Sequence, residues 1–583
     1  MPFYDAIRVG GSGASKDLEI QRSLRFNDGD NAYLNRTPSS AGNRRTWTWS
    51  AWIKRTHIGT QQRFFTADDN ATNATYFLLE FQSDDNLRAL AGTETQSATC
   101  VKETAMVFRD PLAWYHIVFK FDATNSSAVW YVNGEEITDL NSSTNPSNQD
   151  FQVNATTQHF LGRAGSSVSS GGAYFDGYMA EVNFIDGFAY DASYFATTDV
   201  ETGQWIPQKY TGSYGTNGYR ITFADNSGTT ATTLGKDESG NGNNFTPNNF
   251  SVAANLTNDS MPDTPSNNFC TLNNINATSD VNFGNLDGNL VFDQTSNDQA
   301  MTGTFFVTSG KWYWEIYKNA SQNPEIGICG PQTRLSEQST GMIDERVAFI
   351  TNGGNLRTGS SSNQSITGSS SGQTGAGWIR IACDMDNKKI WFSDLSGNYF
   401  NSGNPATGAN PAYDFSSHAV ADGWTPYVFM GTGGGHNCYV NFGQFDLNSF
   451  SSNIPAGFST LTSENLPEPA IKIPNKHFNT LLYTGTGSSN SVAGLEFKPD
   501  WTWIKKRNTT AHHNLYDSVR GVKNRLKSSS SDAEDTRTNG LTAFNSDGFT
   551  VVSDAGVNTS SDTYVAWNWD AGETDGKTYT VTV

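Results

Sequence analysis

Hydrophobic and polar residues alternate along most of this chain, most clearly in two tryptophan-rich segments. "RTWTWSAWIKRT" occupies residues 45–56, and the similar "DWTWIKKRNTT" occupies residues 500–510. Because successive side chains of a β-strand point to opposite faces, a period of two residues predicts strands rather than helices. The side chains on the tryptophan face of these strands are Trp47, Trp49, Trp501 and Trp503. We expect these rings to be core residues of β-sandwiches, since alternating aromatic residues usually pack between sheets.

Short segments with the same alternation continue to the C-terminus, separated by turns rich in Gly, Asn and Asp. The pair Asn133-Gly134 favours a tight hairpin turn. Aromatic residues make up 13% of the chain and charged residues only 16%, which is typical of all-β proteins with many turns. We predict an all-β protein with three tandem antiparallel β-sandwich domains of jelly-roll type and a short N-terminal anchoring segment.

Turn-rich segments place the predicted domain boundaries. The five predicted parts are an anchor with a Gly-rich joint at 1–20, a first sandwich at 21–250, a linker at 251–281, a second sandwich at 282–460 and a C-terminal module at 461–583.

The first predicted sandwich resembles a known family. Its segments "LRFNDGDNAYL", "TWSAWIKR", "WYHIVFKFDATNSSAVWYVNGEEI" and "FDGYMAEVNFIDGFAY" are similar, in order, to strands of the laminin G-like, concanavalin A-type jelly roll. This resemblance implies binding of a glycan or a protein, sometimes with calcium. The same family also includes glycan hydrolases.

The remaining parts resemble other families. "SGKWYWEIYKN" and "GWIRIACDMDNKKIWFSDLSG" are similar to the SPRY sandwich, and alternation predicts that Trp312, Trp314 and Ile316 are buried. "DSMPDTPSNNFCTLNNINAT" resembles a linker phrase of bacteriophage structural proteins, and "FKPDWTWIKKRNTTAHHNLYDSVRG" resembles a C-terminal module of phage tail and virion proteins. These resemblances imply a phage virion protein made in the host cytoplasm.

Charge and cysteine content exclude several function classes. The formal net charge of −20 argues against nucleic acid and anionic membranes, which require a basic surface. No segment approaches 18 consecutive apolar residues, so we expect no membrane insertion. Five scattered cysteines without a Cys-x-x-Cys pair predict free buried thiols. We expect no metal and no cofactor.

No residue set has the spacing of a catalytic site. Jelly-roll glycan hydrolases use paired carboxylates on one strand, and neither Glu80 with Asp84 and Asp85 nor the acidic residues after Gly134 have that spacing. Ser518 follows two histidines but has no G-x-S-x-G context. The oxygen-rich "DESGNGN" at 237–243 fits either a calcium loop or, as we favour, a hydrogen-bonded turn.

Two polar connections of the first sandwich, residues 66–75 and 163–175, are where such folds usually carry binding sites. We predict that their side chains supply hydrogen bonds and one stacking face for a sugar. The predicted glycan-binding residues are Asp68, Asp69, Asn70 and Tyr174.

The N-terminus combines apolar residues with few charges ahead of the Gly-rich joint. We predict that it anchors the chain to a virion protein or a sister subunit, because apolar side chains left in water forgo roughly 1.5 to 3 kcal/mol each. The predicted anchor residues are Phe3, Tyr4, Ile7 and Val9. A frayed terminus is the alternative.

Together these patterns favour a homo-oligomeric tail fibre or tail-associated protein on the particle surface that binds a host surface glycan or receptor. A virion assembly protein (a head fibre, decoration or baseplate adaptor) that binds other phage proteins is the alternative. A polysaccharide depolymerase is a third hypothesis, against which the missing carboxylate motif argues.

Overall fold

A computed structural model describes residues 18–68, 75–93, 98–165, 172–278, 287–294, 298–320, 322–331, 345–358, 361–365, 372–418, 423–431, 436–445, 447, 449–469 and 471–571. The described residues form two compact units, one within residues 1–200 and 204–467 and the other within residues 201–203 and 468–583. Within the described residues the architecture is all-β, as predicted. None of the described helices has the length and hydropathy that a membrane-spanning helix needs.

The first sandwich contains strands β1 to β18 among the described residues. They are β1 Ser23–Phe26, β2 Tyr33–Arg36, β3 Thr46–Arg55, β4 Gln62–Asp68, β5 Thr75–Phe81, β6 Asn86–Thr93, β7 Ala98–Val107, β8 Trp114–Asp122, β9 Ser127–Val132, β10 Glu135–Glu136, β11 Leu140–Thr144, β12 Gln158–Leu161, β13 Gly177–Asp186, β14 Ala196–Thr198, β15 Trp205–Pro207, β16 Tyr219–Ile221, β17 Thr246–Asn248 and β18 Ser260–Met261. A 3-10 turn covers Ala192–Tyr194.

Two large antiparallel sheets form this sandwich. One has the order β10-β9-β8-β3-β13-β1-β18, with β16 on β13, and the other β11-β7-β6-β5-β4-β12-β2-β17. Trp47 and Trp49 lie fully buried between them, which confirms the prediction for this segment. The β9–β10 hairpin turns at Asn133 and Gly134, both with positive φ, as the Asn-Gly pair predicts.

The second sandwich contains strands β19 to β32 among the described residues. They are β19 Leu272–Ala277, β20 Val291–Gln294, β21 Gln299–Gly303, β22 Lys311–Lys318, β23 Glu325–Cys329, β24 Arg346–Ile350, β25 Asn355–Thr358, β26 Ser361–Ser365, β27 Gly377–Asp384, β28 Lys389–Phe392, β29 Tyr413–Asp414, β30 Thr425–Met430, β31 His436–Asn441 and β32 Ser459–Thr460. The helical segments are α1 Phe450–Asn453 and the 3-10 turns Phe400–Ser402, Pro405–Thr407 and Ser463–Asn465.

Its sheets have the orders β19-β21-β30-β23-β24-β25-β26 and β20-β31-β22-β27-β28-β29, with β32 parallel to β22. Trp312, Trp314 and Ile316 of β22 are buried, as alternation predicts. All five cysteines are buried thiols outside any disulfide, also as predicted.

The segment predicted as a linker, residues 251–281, instead supplies strands to both sandwiches. Its β18 pairs with β1, and its β19 pairs with β21. Asn274 of β19 donates a hydrogen bond to the carbonyl of Thr56 at 2.5 Å. The abundance of turn-forming residues in this segment marks its bends but does not reveal the strands between them.

The two sandwiches share one apolar cluster, which contains Trp52 and Trp114 of the first and Trp312 of the second. Tyr178 Oη donates to the carbonyl of Gly288 at 2.6 Å. Gly288 has a φ of 71°, and a side chain there would collide with the Tyr178 hydroxyl, so glycine permits this close approach. The first two predicted domains therefore form one packed unit.

The C-terminal module contains strands β33 to β41 among the described residues. They are β33 Phe478–Thr484, β34 Asn490–Ala493, β35 Trp501–Lys506, β36 Asn514–Asp517, β37 Asn524–Lys527, β38 Asp535–Thr536, β39 Leu541–Asn545, β40 Gly548–Val551 and β41 Thr563–Trp569, after a 3-10 turn at Pro474–Lys476. Its sheets have the orders β33-β41-β35-β36-β37-β38 and β34-β40-β39.

The prediction that Trp501 and Trp503 are core residues is wrong. The alternation in β35 is real, but the buried face carries Thr502, Ile504 and Lys506, and both tryptophans are half-exposed on the opposite face. The small core of this module forms on the Ile504 side of the sheet, against Phe549 and Val551 of the three-stranded sheet.

Candidate functional site

The second sheet of the first sandwich turns one face to the core and the other away from it. In the β2–β12 pair, Leu34 and Leu161 lie opposite each other and point into the core. Their neighbours therefore point outward: Tyr33 on β2 and Phe160 on β12. Alternation in two adjacent strands thus places two aromatic rings on the outer face, with centroids 6.0 Å apart.

Arg163 lies above these rings. Its guanidinium carbon is 4.7 Å from the ring centroid of Tyr33, 5.3 Å from that of Phe160 and 5.3 Å from that of Tyr174. Tyr174 is tilted against Tyr33 with centroids 6.4 Å apart. We call Tyr33, Phe160, Arg163 and Tyr174 the aromatic–arginine cluster. Cation–π attraction to three rings holds the guanidinium in place.

Among the described residues, one hydrogen bond engages this guanidinium. Arg163 Nε donates to the carbonyl of Ala164 at 2.6 Å, and the described residues show no ion pair of this side chain. In the aromatic–arginine cluster Phe160 is buried, whereas Tyr33, Arg163 and Tyr174 are half-buried. A positioned cation with unpaired N–H groups beside aromatic rings can bind a planar anionic or polyhydroxyl group.

The structure describes two of the four predicted sugar-binding residues, Asp68 and Tyr174. Tyr174 belongs to the cluster. Asp68 ends β4 opposite Gln158 and is fully buried, so its carboxylate does not reach the surface. Asp69 and Asn70 lie outside the described residues, as do the predicted anchor residues Phe3, Tyr4, Ile7 and Val9.

Sequence reasoning missed Tyr33, Phe160 and Arg163. Tyr33 comes from a strand some 130 positions away in the chain, and only strand pairing brings it beside Phe160. The available signal was an aromatic residue next to a core leucine in "HFLGRAG", followed by an arginine at the start of a polar loop.

The carboxylate of Glu80 lies on the same sheet but serves structure. It is fully buried, with Arg63 Nε donating to Oε2 at 3.1 Å and Arg88 Nε donating to Oε1 at 2.8 Å. Both oxygens of this carboxylate are thus occupied by arginine donors. Glu80 is therefore unsuited to act as the acid of a glycan hydrolase.

The oxygen-rich segment at 237–243 and the histidines near Ser518 also form hydrogen-bonded structure. Both oxygens of Asp237 accept from protein donors, Ser239 N at 2.8 Å and Asn243 N at 2.8 Å among them, which confirms the turn. Ser518 Oγ donates to Asp500 at 2.9 Å, and His513 Nδ1 accepts from Trp503 Nε1 at 2.9 Å. Neither contact forms a nucleophile–base pair.

The C-terminal module carries a second aromatic feature on its exposed sheet face. Its four tryptophans and one phenylalanine, which we call the tryptophan row, are Phe478, Trp501, Trp503, Trp567 and Trp569. The rings of Trp501 and Trp569 stack with centroids 4.3 Å apart and planes at 23°. Stacking hides ring faces and leaves ring edges toward solvent.

Comparisons with known families cover parts of the chain. Residues 28–189 match the model of the concanavalin A-like lectin/glucanases superfamily, and residues 473–583 match a domain of unknown function, DUF7483. Among curated proteins, none is significantly similar to this chain in sequence. The first match gives a lectin-like and laminin G-like sandwich for residues 28–189, in agreement with the predicted resemblance.

Solved structures are similar at low identity. A pentraxin from Limulus polyphemus is 16% identical over 30% of this chain and 79% of its own, with a TM-score of 0.24. The SPRY domain of human HERC1 is 16% identical over 26% of this chain and 87% of its own, with a TM-score of 0.21. Domains LG4-5 of the mouse laminin α1 chain are 10% identical over 74% of this chain and 91% of their own, with a TM-score of 0.25.

Proposed function

We propose that this chain is a glycan-binding protein whose first sandwich binds an acidic sugar at the aromatic–arginine cluster without chemical change to it. The observation that carries the proposal is Arg163, held among three rings with N–H donors unpaired among the described residues. The match of residues 28–189 to the concanavalin A-like superfamily supports a glycan as the ligand class.

The chemistry of the cluster favours a sugar that carries a carboxylate. A guanidinium can donate two parallel hydrogen bonds to a carboxylate, and such charge-assisted bonds are about twice as strong as neutral ones. The tyrosine rings of Tyr33 and Tyr174 add apolar contact area for the C–H face of a sugar ring and hydroxyls for its polar groups. A neutral sugar would leave the cation without its best partner.

Binding without hydrolysis is supported by the buried, arginine-held state of Glu80 and by the absence of a paired-carboxylate strand in the sequence. We place the protein on the surface of a phage particle, as a tail-associated host-recognition component. The sequence resemblance of the segment near residue 259 and of the C-terminal module to phage proteins supports this placement. Several copies on one particle would convert weak single contacts into firm attachment.

A glycan array tests the proposal. The full chain, fluorescently labelled, is applied to oligosaccharides that bear uronic or sialic acids and to neutral oligosaccharides of equal length. We expect binding to acidic members, with no release of reducing ends from bound glycans. Binding only to neutral members would overturn the ligand class, and absence of any binding would overturn the function.

The tryptophan row supports a second candidate function, contact with a second copy of this chain in an assembly. Ring edges form an apolar surface that continues to Leu482, which is 63% exposed. Because stacked rings hide their faces, this surface suits a flat protein partner better than a sugar. Sedimentation of the full chain should show oligomers that Leu482→Lys dissociates; a monomer at all concentrations would exclude this contact.

A further inference from the structure

Three neighbouring strands of the first sandwich end side by side, and each carries a metal-ligating residue just beyond its end. Phe26 of β1 lies opposite Gly177 of β13, which in turn lies opposite Arg55 of β3. Asp28 follows Phe26 by two positions, His57 follows Arg55 by two, and Asp176 precedes Gly177. The register of the sheet therefore gathers Asp28, His57 and Asp176 at one edge.

The three side chains are close enough to share one ion. One carboxylate oxygen of each aspartate and one imidazole nitrogen lie within 4.8 Å of one another. His57 Nδ1 is 3.4 Å from Asp28 Oδ2. Ligand atoms that surround a cation at about 2.0 to 2.2 Å are separated by up to about 4 Å, so small side-chain rotations suffice.

A buried oxygen without a partner points to a ligand at this place. Asp176 is 1% exposed, and its Oδ1 accepts a hydrogen bond from the hydroxyl of Thr56. Its Oδ2 has no hydrogen-bond partner among the described residues. A buried, unsatisfied acceptor costs about 1 to 3 kcal/mol, more when it is charged.

The electrostatics point the same way. Asp176 is buried close to the carboxylate of Asp28, so two acidic groups share one small space. Asp287 is a third acidic group nearby, half-buried and paired with Arg25 at 3.0 Å. A cation placed among these groups would neutralise the repulsion between Asp28 and Asp176 and supply the missing partner of Oδ2.

We propose that Asp28, His57 and Asp176 form a binding site for a divalent transition-metal cation, of which Zn²⁺ is the representative. Imidazole and carboxylate ligands together suit Zn²⁺, whereas Ca²⁺ takes oxygen ligands alone. Water completes the coordination. The ion cross-links the ends of β1, β3 and β13, so it stabilises the edge of the sandwich without taking part in sugar binding.

Calorimetric titration of the metal-free full chain with Zn²⁺, Ca²⁺ and Mg²⁺ tests the site. We expect Zn²⁺ to bind with an affinity that Asp28→Asn, His57→Gln and Asp176→Asn each weaken by roughly tenfold or more. His477→Gln is the matched control, because His477 lies 3.7 Å from a carboxylate of Asp570 but is half-exposed and lacks a third ligand among the described residues. This control should bind Zn²⁺ like the wild type.

Thermal unfolding supplies a second readout. Zn²⁺ should raise the Tm of the wild type and of His477→Gln but not that of Asp28→Asn, because a ligand stabilises only the state that binds it. Asp28 is the more exposed of the two aspartates of the proposed site. The Asp28→Asn variant should therefore keep the fold even where Asp176→Asn does not. Equal Zn²⁺ affinity in wild type and Asp28→Asn would overturn the site, and tighter binding of Ca²⁺ than of Zn²⁺ would overturn the metal class.

Discussion

Trp49 shows how single side chains hold the first sandwich together. Its ring centroid lies 5.3 Å from that of Phe64 and 5.9 Å from that of Phe65, and the residue is fully buried. Replacing Trp49 by Ala leaves a cavity that the surrounding strands cannot fill. We expect a loss of about 3 to 5 kcal/mol in the free energy of unfolding. Urea unfolding measures it; a loss below 1 kcal/mol (roughly the effect of a surface change) would refute core packing.

His116 predicts a dependence of stability on pH. It is buried, its Nδ1 accepts from Trp205 Nε1 at 3.0 Å, and its Nε2 lies 2.9 Å from Ser50 Oγ. Since Nδ1 is the acceptor, the ring is neutral with its proton on Nε2. Burial lowers the pKa of His116 to about 3, against about 6.5 in an unfolded chain.

Between these pKa values the unfolded state binds more protons, so the free energy of unfolding falls as the pH decreases from 6.5 toward 3. The slope from His116 approaches about 1.4 kcal/mol per pH unit. His116→Gln should flatten this slope in urea unfolding between pH 4 and 7, whereas His477→Gln, which alters a half-exposed histidine, should not. An unchanged slope in His116→Gln would show that the ring is protonated in the fold.

At the scale of elements, alternation correctly predicts strands but does not reveal which face is buried. In β3 both faces are covered, one by the second sheet and the other in part by the second sandwich, so tryptophan is buried on either side. In β35 a small second sheet covers only one face, and that face carries Ile504. Ring size alone suggests the wrong side, because the sequence does not show on which face of β35 the three-stranded sheet β34-β40-β39 packs.

The exposed position of Trp503 predicts a smaller effect of mutation than that of Trp49. Its ring contacts Trp567 and His513 on the solvent side of the sheet, with centroids 5.6 and 5.5 Å apart. Trp503→Ala should therefore cost about 1 kcal/mol, within the range of cross-strand aromatic pairs. Ile504→Ala, on the buried face of the same strand, should cost about 2 to 5 kcal/mol. A larger loss of unfolding free energy for Trp503→Ala than for Ile504→Ala, measured by chemical unfolding, would show that the tryptophan face is the core.

The residues of the candidate site likewise come together through strand pairing, which a single sequence does not show. The sequence places Tyr174 in a polar loop of the kind that carries sites in sandwiches, but Tyr33 and Arg163 lie beside it only through the pairing of β2 with β12. Asp28, His57 and Asp176 likewise meet through the register of β1, β13 and β3. A single sequence shows strands and turns, whereas sites made by strand order require the topology.

At the scale of the whole molecule, the first two sandwiches form one unit that buried charges tie together. Arg25 of β1 is 1% exposed and lies 3.1 Å from Asp259 and 3.0 Å from Asp287, which precedes β20. Arg25→Met would leave two acids without their counter-charge. Removing one partner of a buried pair costs about 3 to 5 kcal/mol.

Hydrogen exchange measured by mass spectrometry checks this coupling. In Arg25→Met of the full chain, the strands β8 of the first sandwich and β22 of the second should lose protection together, because they belong to one packed unit. Arg45→Met, which breaks a half-exposed pair with Asp150 at 2.6 Å, is the matched control and should leave both unchanged. Loss of protection in the first sandwich alone would show that the two sandwiches unfold independently.

The central claim, an acidic glycan bound by Arg163, is tested most directly by calorimetric titration of the full chain with an acidic oligosaccharide bound on the array. Arg163→Ala should weaken binding about tenfold to a hundredfold, because a hydrogen bond to a charged group contributes about 1.5 to 3 kcal/mol. Tyr194→Ala, which removes a 44% exposed ring stacked on Tyr190 elsewhere on the same sandwich, should bind like the wild type. Unchanged affinity in Arg163→Ala would contradict the account.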